Sequence, residues 1–130
     1  MTERYAPHMF AILRIVAGLM FAIHGSQKLL GWPPGGPATL PPLMRFGGFV
    51  ELAGGLLIAI GLFTRVAAFL SSGEMAVAYF MAHAPHGFVP LQNKGELAVV
   101  YCFLWLFVAM HGAGVWSVES LIQSRRAVPA

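Results

Sequence analysis

The sequence predicts an all-α integral membrane protein, a four-helix up-down bundle with short loops. Three observations carry that expectation. Of 130 residues, 58% are hydrophobic and 10% are charged, where a soluble domain carries roughly a quarter charged residues. The apolar residues gather into four runs, each near the roughly 20 residues that a bilayer-crossing helix needs. Segments rich in Pro and Gly separate the runs. Such a composition excludes disorder, an ordinary soluble enzyme and a nucleic-acid binder, because the net charge of +3 is spread thinly along the chain. The single cysteine, Cys102, excludes an internal disulfide, a dithiol redox pair and a thiolate zinc site.

The first helix is expected over residues 7–30. It stops at Gly31-Trp32-Pro33-Pro34-Gly35-Gly36-Pro37, a string that cannot continue a helix. Arg14 lies within the run and no small-x-small motif follows at the right distance, so the segment reads as a retained helix and not a cleaved signal. Pro41-Pro42 suits the start of a second helix over residues 42–63. Thr64-Arg65 forms a tight turn, with Thr64 as N-cap, into a third helix over residues 65–84. The segment Pro85 to Pro90 ends that helix, and the last is expected over residues 94–112. An even number of spans puts both termini on one side. Arg4, Arg65, Arg125 and Arg126 then lie on that side and Lys28, Arg45 and Lys94 on the other. The positive-inside rule places both termini in the cytoplasm, with the chain a multi-pass protein of the inner membrane.

Ionisable residues inside apolar helices point to function by default. Each of the first three helices holds one in its body, Arg14, Glu51 and Glu74, with His24 further along the first. Helical spacing sets each on a stripe of small residues: Arg14-Gly18-Phe21-Gly25-Lys28, Gly47-Glu51-Gly54-Ile58-Gly61 and Ala67-Ser71-Glu74-Ala78. Small residues let helix backbones approach, so these stripes should face the bundle axis. The last helix offers Glu96, Val100, Phe103 and Phe107 as an aromatic wall. A rise of about 1.5 Å per residue puts Arg14 and Glu74 at similar depth, where they can pair. His24 and Glu51 fall at a common level nearer the outer face, with Lys28, His83 and Glu96 at the same rim. One arginine cannot balance two carboxylates in a low-dielectric interior. Either one carboxyl keeps its proton or His24 is cationic beside Glu51, and each arrangement leaves an exchangeable proton in the bundle.

Structural readings stand beside these. Arg14 and Glu74 can form an ion pair that only fixes helix register. Glu51 can hydrogen-bond across helices, and His24 can be a satisfied core histidine. His83 and His86 read as loop-end residues. Lys28, Arg45, Arg65 and Lys94 are expected to reach headgroups, and Trp32, Trp105 and Trp116 to be interfacial or lipid-facing. Cys102 reads as an inert buried thiol, and the seven methionines as packing and not a copper site.

The ordered set of polar and glycine motifs resembles the DoxX family of small four-helix membrane proteins. The resemblance runs through Leu13-Arg14, His24-Gly25, Lys28-Leu29 and Gly48-Phe49-Val50-Glu51-Leu52-Ala53-Gly54-Gly55. It continues through Gly61-Leu62-Phe63-Thr64-Arg65, Glu74-Met75, His83, Gly95-Glu96 and Gly112-Ala113-Gly114 to Ser117-Val118-Glu119. The family tends toward Gly-Pro-Gly and Ser-Leu-Asp at the last two places, so the end of the final helix departs from its pattern. The resemblance implies a single transmembrane domain over residues 1–130 and a redox-associated membrane subunit. The family's name comes from a component of a thiosulfate:quinone oxidoreductase. Mycobacterial relatives are linked to assemblies holding a sulfurtransferase and a superoxide dismutase.

Two functions of different class follow as expectations. In the first, the chain is a quinone-linked redox subunit, since quinone reduction needs protons as well as electrons. His24 would hydrogen-bond a quinone oxygen, Glu51 would exchange its proton, and Arg14 with Glu74 would tune both. Lys28, Glu96 and Phe103 would complete the quinone site. In the second, the chain is a non-catalytic anchor, assembly or small-ligand-binding subunit for a partner redox enzyme. The lipid bilayer is a partner under both readings, and a homo-oligomer fits either. Haem held by His24 and His83, with His8 and His111 on the other side, is disfavoured because histidine pairs without a motif are weak signals.

Overall fold

The computed structural model describes residues 2–127. Six α-helices follow one another: α1 (Ala6–Leu30), α2 (Pro42–Ile60), α3 (Thr64–Ala78), α4 (Pro90–Asn93), α5 (Glu96–His111) and α6 (Val118–Arg126). The third predicted helix ends earlier as regular α-helix and continues as a π-turn, Tyr79–His83, and a 3-10 turn, Ala84–His86. The short α4 and the terminal α6 were not expected. The signal for α6 is Ser117, whose Oγ accepts the Ser120 N–H (3.1 Å) while Ser120 Oγ accepts the Ser117 N–H (3.3 Å), a reciprocal cap that starts a helix.

Gly61 terminates α2 with φ 72°, and its N–H returns to the carbonyls of Leu57 and Ile58. A side chain is excluded there on two grounds. The left-handed φ favours glycine, and a Cβ would crowd Ser117 and come within 3.0 Å of the Arg14 guanidinium. The expected cap by Thr64 does not form. Phe63 holds the N-cap position, and the Thr64 N–H donates to Glu119 Oε1 at 2.8 Å. A carboxylate from α6 thus satisfies an orphan donor at the positive end of the α3 dipole.

Glycines decide how the long helices meet. A Cβ on Gly18 would fall 2.8 Å from the Gly55 carbonyl oxygen, and one on Gly25 would run into the backbone of Gly48 and Leu52. The backbones of α1 and α2 therefore touch, and the pairing of early α1 with late α2 makes them antiparallel. On the other side of α2, Gly54 faces Ser71 and Gly47 faces Glu74 of α3, again antiparallel. Ser72 of α3 donates to the Cys102 carbonyl at 2.7 Å, tying α3 to α5. Between α5 and α1 the spacing is wider and filled by rings: Phe21 lies 5.1 Å from Tyr101 and 5.4 Å from Trp105, and Phe10 lies 6.0 Å from Phe107. Phe21, Ile58, Ala68, Met75, Trp105 and Val108 form the core.

The exterior is apolar. Val16, Phe49, Phe69, Val77 and Phe103, on four different helices, are all exposed, the reverse of a soluble surface. Helices α1 and α2 are long and apolar enough to cross a bilayer, and α5 is a shorter apolar helix of 16 residues.

Candidate functional site

The polar residues of the interior divide between two ends. Toward the end where α1 finishes and α2 begins, Lys28 Nζ donates to Glu51 Oε1 at 2.7 Å. Glu51 is 2% exposed. Lys28 therefore does not extend to headgroups as expected, because its stem crosses Gly48, where the missing side chain opens a path to Glu51. One turn before Glu51, Gly47 leaves a slot that Glu74 Oε1 enters, 2.9 Å from where a Cβ would stand. Glu74 lies within Coulombic reach of both Glu51 and Lys28. Tyr101 is also within the field of Glu51, and the His24 ring meets Tyr101 edge-on at 6.4 Å. Among the described residues, Oε2 of Glu51 and Oε2 of Glu74 are buried without a hydrogen-bond partner.

This arrangement sets one ammonium against two carboxyls in an apolar shell. Charge burial without compensation is expensive, so the trio favours taking up one proton or one further cationic or hydrogen-bond-donating group. The unpartnered oxygens are where such a group would bind.

His24 is exposed and turned to Tyr101, whereas the ion-pair partner of Glu51 is Lys28. The Arg14–Glu74 pair does not form. Arg14 is fully buried and donates to the carbonyls of Ile58 (2.7 Å), Ala59 (2.7 Å), Trp116 (2.7 Å) and Val115 (3.3 Å). Two physical causes separate the pair. Side chains lean toward the N-terminus of their own helix, which carries the guanidinium inward along α1. There it meets the last turn of α2, whose terminal carbonyls are left wholly or partly free where the helix ends and form the negative end of the dipole. Arg65, itself exposed, does the same for α5, donating to Ala109 O (3.0 Å) and Met110 O (2.5 Å).

Helix α5 shows a different face from the one expected. Glu96, Val100, Phe103 and Phe107 are exposed, and Ala98, Tyr101, Trp105 and Val108 turn inward. Glu96 and Phe103 thus lie outside the cluster, and Trp105 is a core residue and not a lipid-facing one. An almost uniformly apolar helix carries little periodic signal from which its rotation could be read. Tyr101, overlooked in the sequence, was marked only by a hydroxyl in an otherwise apolar run. Cys102 is half-buried, with Sγ 3.6 Å from Ser72 Oγ. The loop between α3 and α5 is pinned by Asn93, which donates to Gly87 O at 2.6 Å and to Tyr79 OH at 3.1 Å and accepts the Gly95 N–H at 2.8 Å. His83 Nδ1 sits 3.2 Å from the Asn93 carbonyl, at the end of that loop.

An apolar exterior around a few sequestered charges is the pattern of helical membrane proteins. The chain belongs to the DoxX family, whose profile matches residues 9–84, from α1 to the turns after α3. The DoxX family is membrane-associated. An uncharacterized protein of Haemophilus influenzae is 42% identical over 125 residues, covering 91% of this chain and 93% of the relative. No solved structure matches the chain significantly.

Proposed function

We propose that this protein is a multi-pass inner-membrane subunit of a redox assembly, an up-down four-helix bundle with both termini in the cytoplasm. Its outer-half site, Lys28, Glu51 and Glu74 with Tyr101 and His24 at its edge, binds a small polar-headed ligand of the quinone type and exchanges a proton with it. The observation that carries this reading is the unbalanced trio: a partly buried Lys28–Glu51 pair beside a second carboxyl, with an unpartnered oxygen on each acid. A pair kept only for helix register would be better served by one carboxyl than by two. The antiparallel contacts of α1 with α2, α2 with α3, and α3 with α5 support the bundle. The enclosing α5–α1 ring stack supplies an aromatic border for a flat ligand. The two electrons that reduce such a quinone would come from a partner subunit.

The test is extraction of the purified protein for bound quinone, followed by quinone titration of the parent and of Glu51→Gln. Retention of quinone and a tenfold or greater loss of affinity in the variant are expected, since each lost charged hydrogen bond weakens binding by about 1.5–3 kcal/mol. Protein free of quinone, with affinity unchanged by the substitution, refutes the quinone reading. A second reading, an anchoring or assembly subunit, is favoured by the purely structural engagement of Arg14 with backbone carbonyls. Co-purification of a redox enzyme whose activity is unaffected by Glu51→Gln and His24→Ala would select it.

A further inference from the structure

Helix α6 is built inside out. At about 100° per residue, Val118, Leu121, Ile122 and Arg125 share one face and Glu119, Ser120 and Gln123 the other. The polar face is the one turned to the protein: Glu119, Ser120 and Gln123 line a cavity of about 520 Å3 together with Arg65 and His111. Glu119 fastens the root of the helix through Thr64 N–H and through its own N–H, which donates to Gly61 O at 3.1 Å. The apolar face is turned away. Leu121 is 63% exposed, Ile122 40%, and Trp116, at the entrance to the helix, 58%. Exposed Arg125 closes the same side at its C-terminal end, and Arg126 is exposed on the flank beside it. A helix of a soluble domain has the opposite arrangement.

We propose that the outward face of α6 lies on an anionic phospholipid surface at the inner rim of the apolar girdle. Leu121, Ile122 and Trp116 enter the acyl boundary, and Arg125 and Arg126 bind lipid phosphates. Charge and area select this occupant over a second copy of the chain. Two adjacent arginines would face their own symmetry mates across a dimer axis. A face of a few apolar side chains on nine residues is also far short of the roughly 800 Å² per partner that a stable interface buries. Interfacial helices with apolar residues on one side and arginines at its margin bind anionic lipid by this combination of burial and charge.

The inference rests on the reading of the chain as membrane-spanning, and the experiment separates the two. The full chain, as Cys102→Ser with Leu121→Cys carrying a fluorescent label, is reconstituted in nanodiscs of phosphatidylcholine alone or of an equimolar mixture with phosphatidylglycerol. Quenching by lipid-borne nitroxide is compared with quenching by an aqueous quencher. In anionic discs the lipid quencher should dominate. The double variant Arg125→Gln/Arg126→Gln should shift the ratio of docked to undocked helix by about 30-fold toward the aqueous quencher. A chain that reconstitutes but shows aqueous quenching in anionic discs, or protection from both quenchers, overturns the proposal. A chain that stays monodisperse without detergent and will not enter discs overturns the membrane reading itself. The parent chain keeps the test independent of any loss of α6 in the variant: its label should move toward the aqueous quencher in discs of phosphatidylcholine alone, and equal lipid quenching in both compositions overturns the charge-based docking.

Discussion

Arg14 offers the sharpest check on how the interior is held together. Its guanidinium is completely buried and donates to four backbone carbonyls, two of them on buried residues in the last turn of α2. Carbonyls cannot be mutated away with their partner. Arg14→Met therefore removes the donor and leaves the acceptors in place, and it does not resemble exchanging a whole ion pair for apolar residues. The carbonyls of Val115 and Trp116 belong to a loop and regain water, whereas those of Ile58 and Ala59 stay within the packed end of α2. Removing one side of such a buried set costs about 3–5 kcal/mol. Arg14→Lys keeps a charge but loses the planar fork, and should fall between parent and Met variant. Glu74 shares no partner with Arg14, so the double variant Arg14→Met/Glu74→Gln should be additive to within about 0.5 kcal/mol. Reversible unfolding in mixed micelles, followed by near-ultraviolet circular dichroism, measures the parent, Arg14→Met, Arg14→Lys, Glu74→Gln and the double variant. A loss below about 1 kcal/mol for Arg14→Met, together with a coupling above about 1.5 kcal/mol to Glu74, would refute the capping account and restore an Arg14–Glu74 pair.

Two further expectations concern packing and can be read in the same unfolding assay. Gly25→Ala drives a methyl into the α2 backbone and should destabilise the fold by about 3 kcal/mol or more, whereas Gly73→Ala, whose Cβ would meet nothing within 4 Å, should be neutral or gain up to about 1 kcal/mol. Equal effects would mean that α1 and α2 do not touch at Gly25. Trp105→Ala should cost about 3–5 kcal/mol and Phe103→Ala less than about 0.5 kcal/mol, and the reverse order would place the outward face of α5 inside.

Much of the Lys28–Glu51–Glu74 site was legible because glycine stripes report close approach. The spacing of Gly47, Glu51 and Gly54 put Glu51 on the α2 packing face, and Ser71 with Glu74 on the matching face of α3, as found. What the stripes could not show was reach. Lysine and arginine side chains can extend several residues up or down their helix. The depth of a Cα therefore left open whether Arg14 would meet Glu74 or the end of α2, and whether Lys28 would turn outward or across to Glu51. The contacts of α6 were equally hidden, since a nine-residue polar segment carries no apolar run to announce it.

Composition and the placement of Gly and Pro were enough to determine an all-helical chain, the breaks between its long helices, and the packing-face positions of Glu51 and Glu74. These are local or additive properties, written in residue order. The partner of each buried charge, the rotation of α5 and the inverted seating of α6 were decided only in the tertiary structure. They depend on which carbonyls a neighbouring helix leaves unpaired and on where a missing side chain lets another pass, and both arise only once the helices are packed.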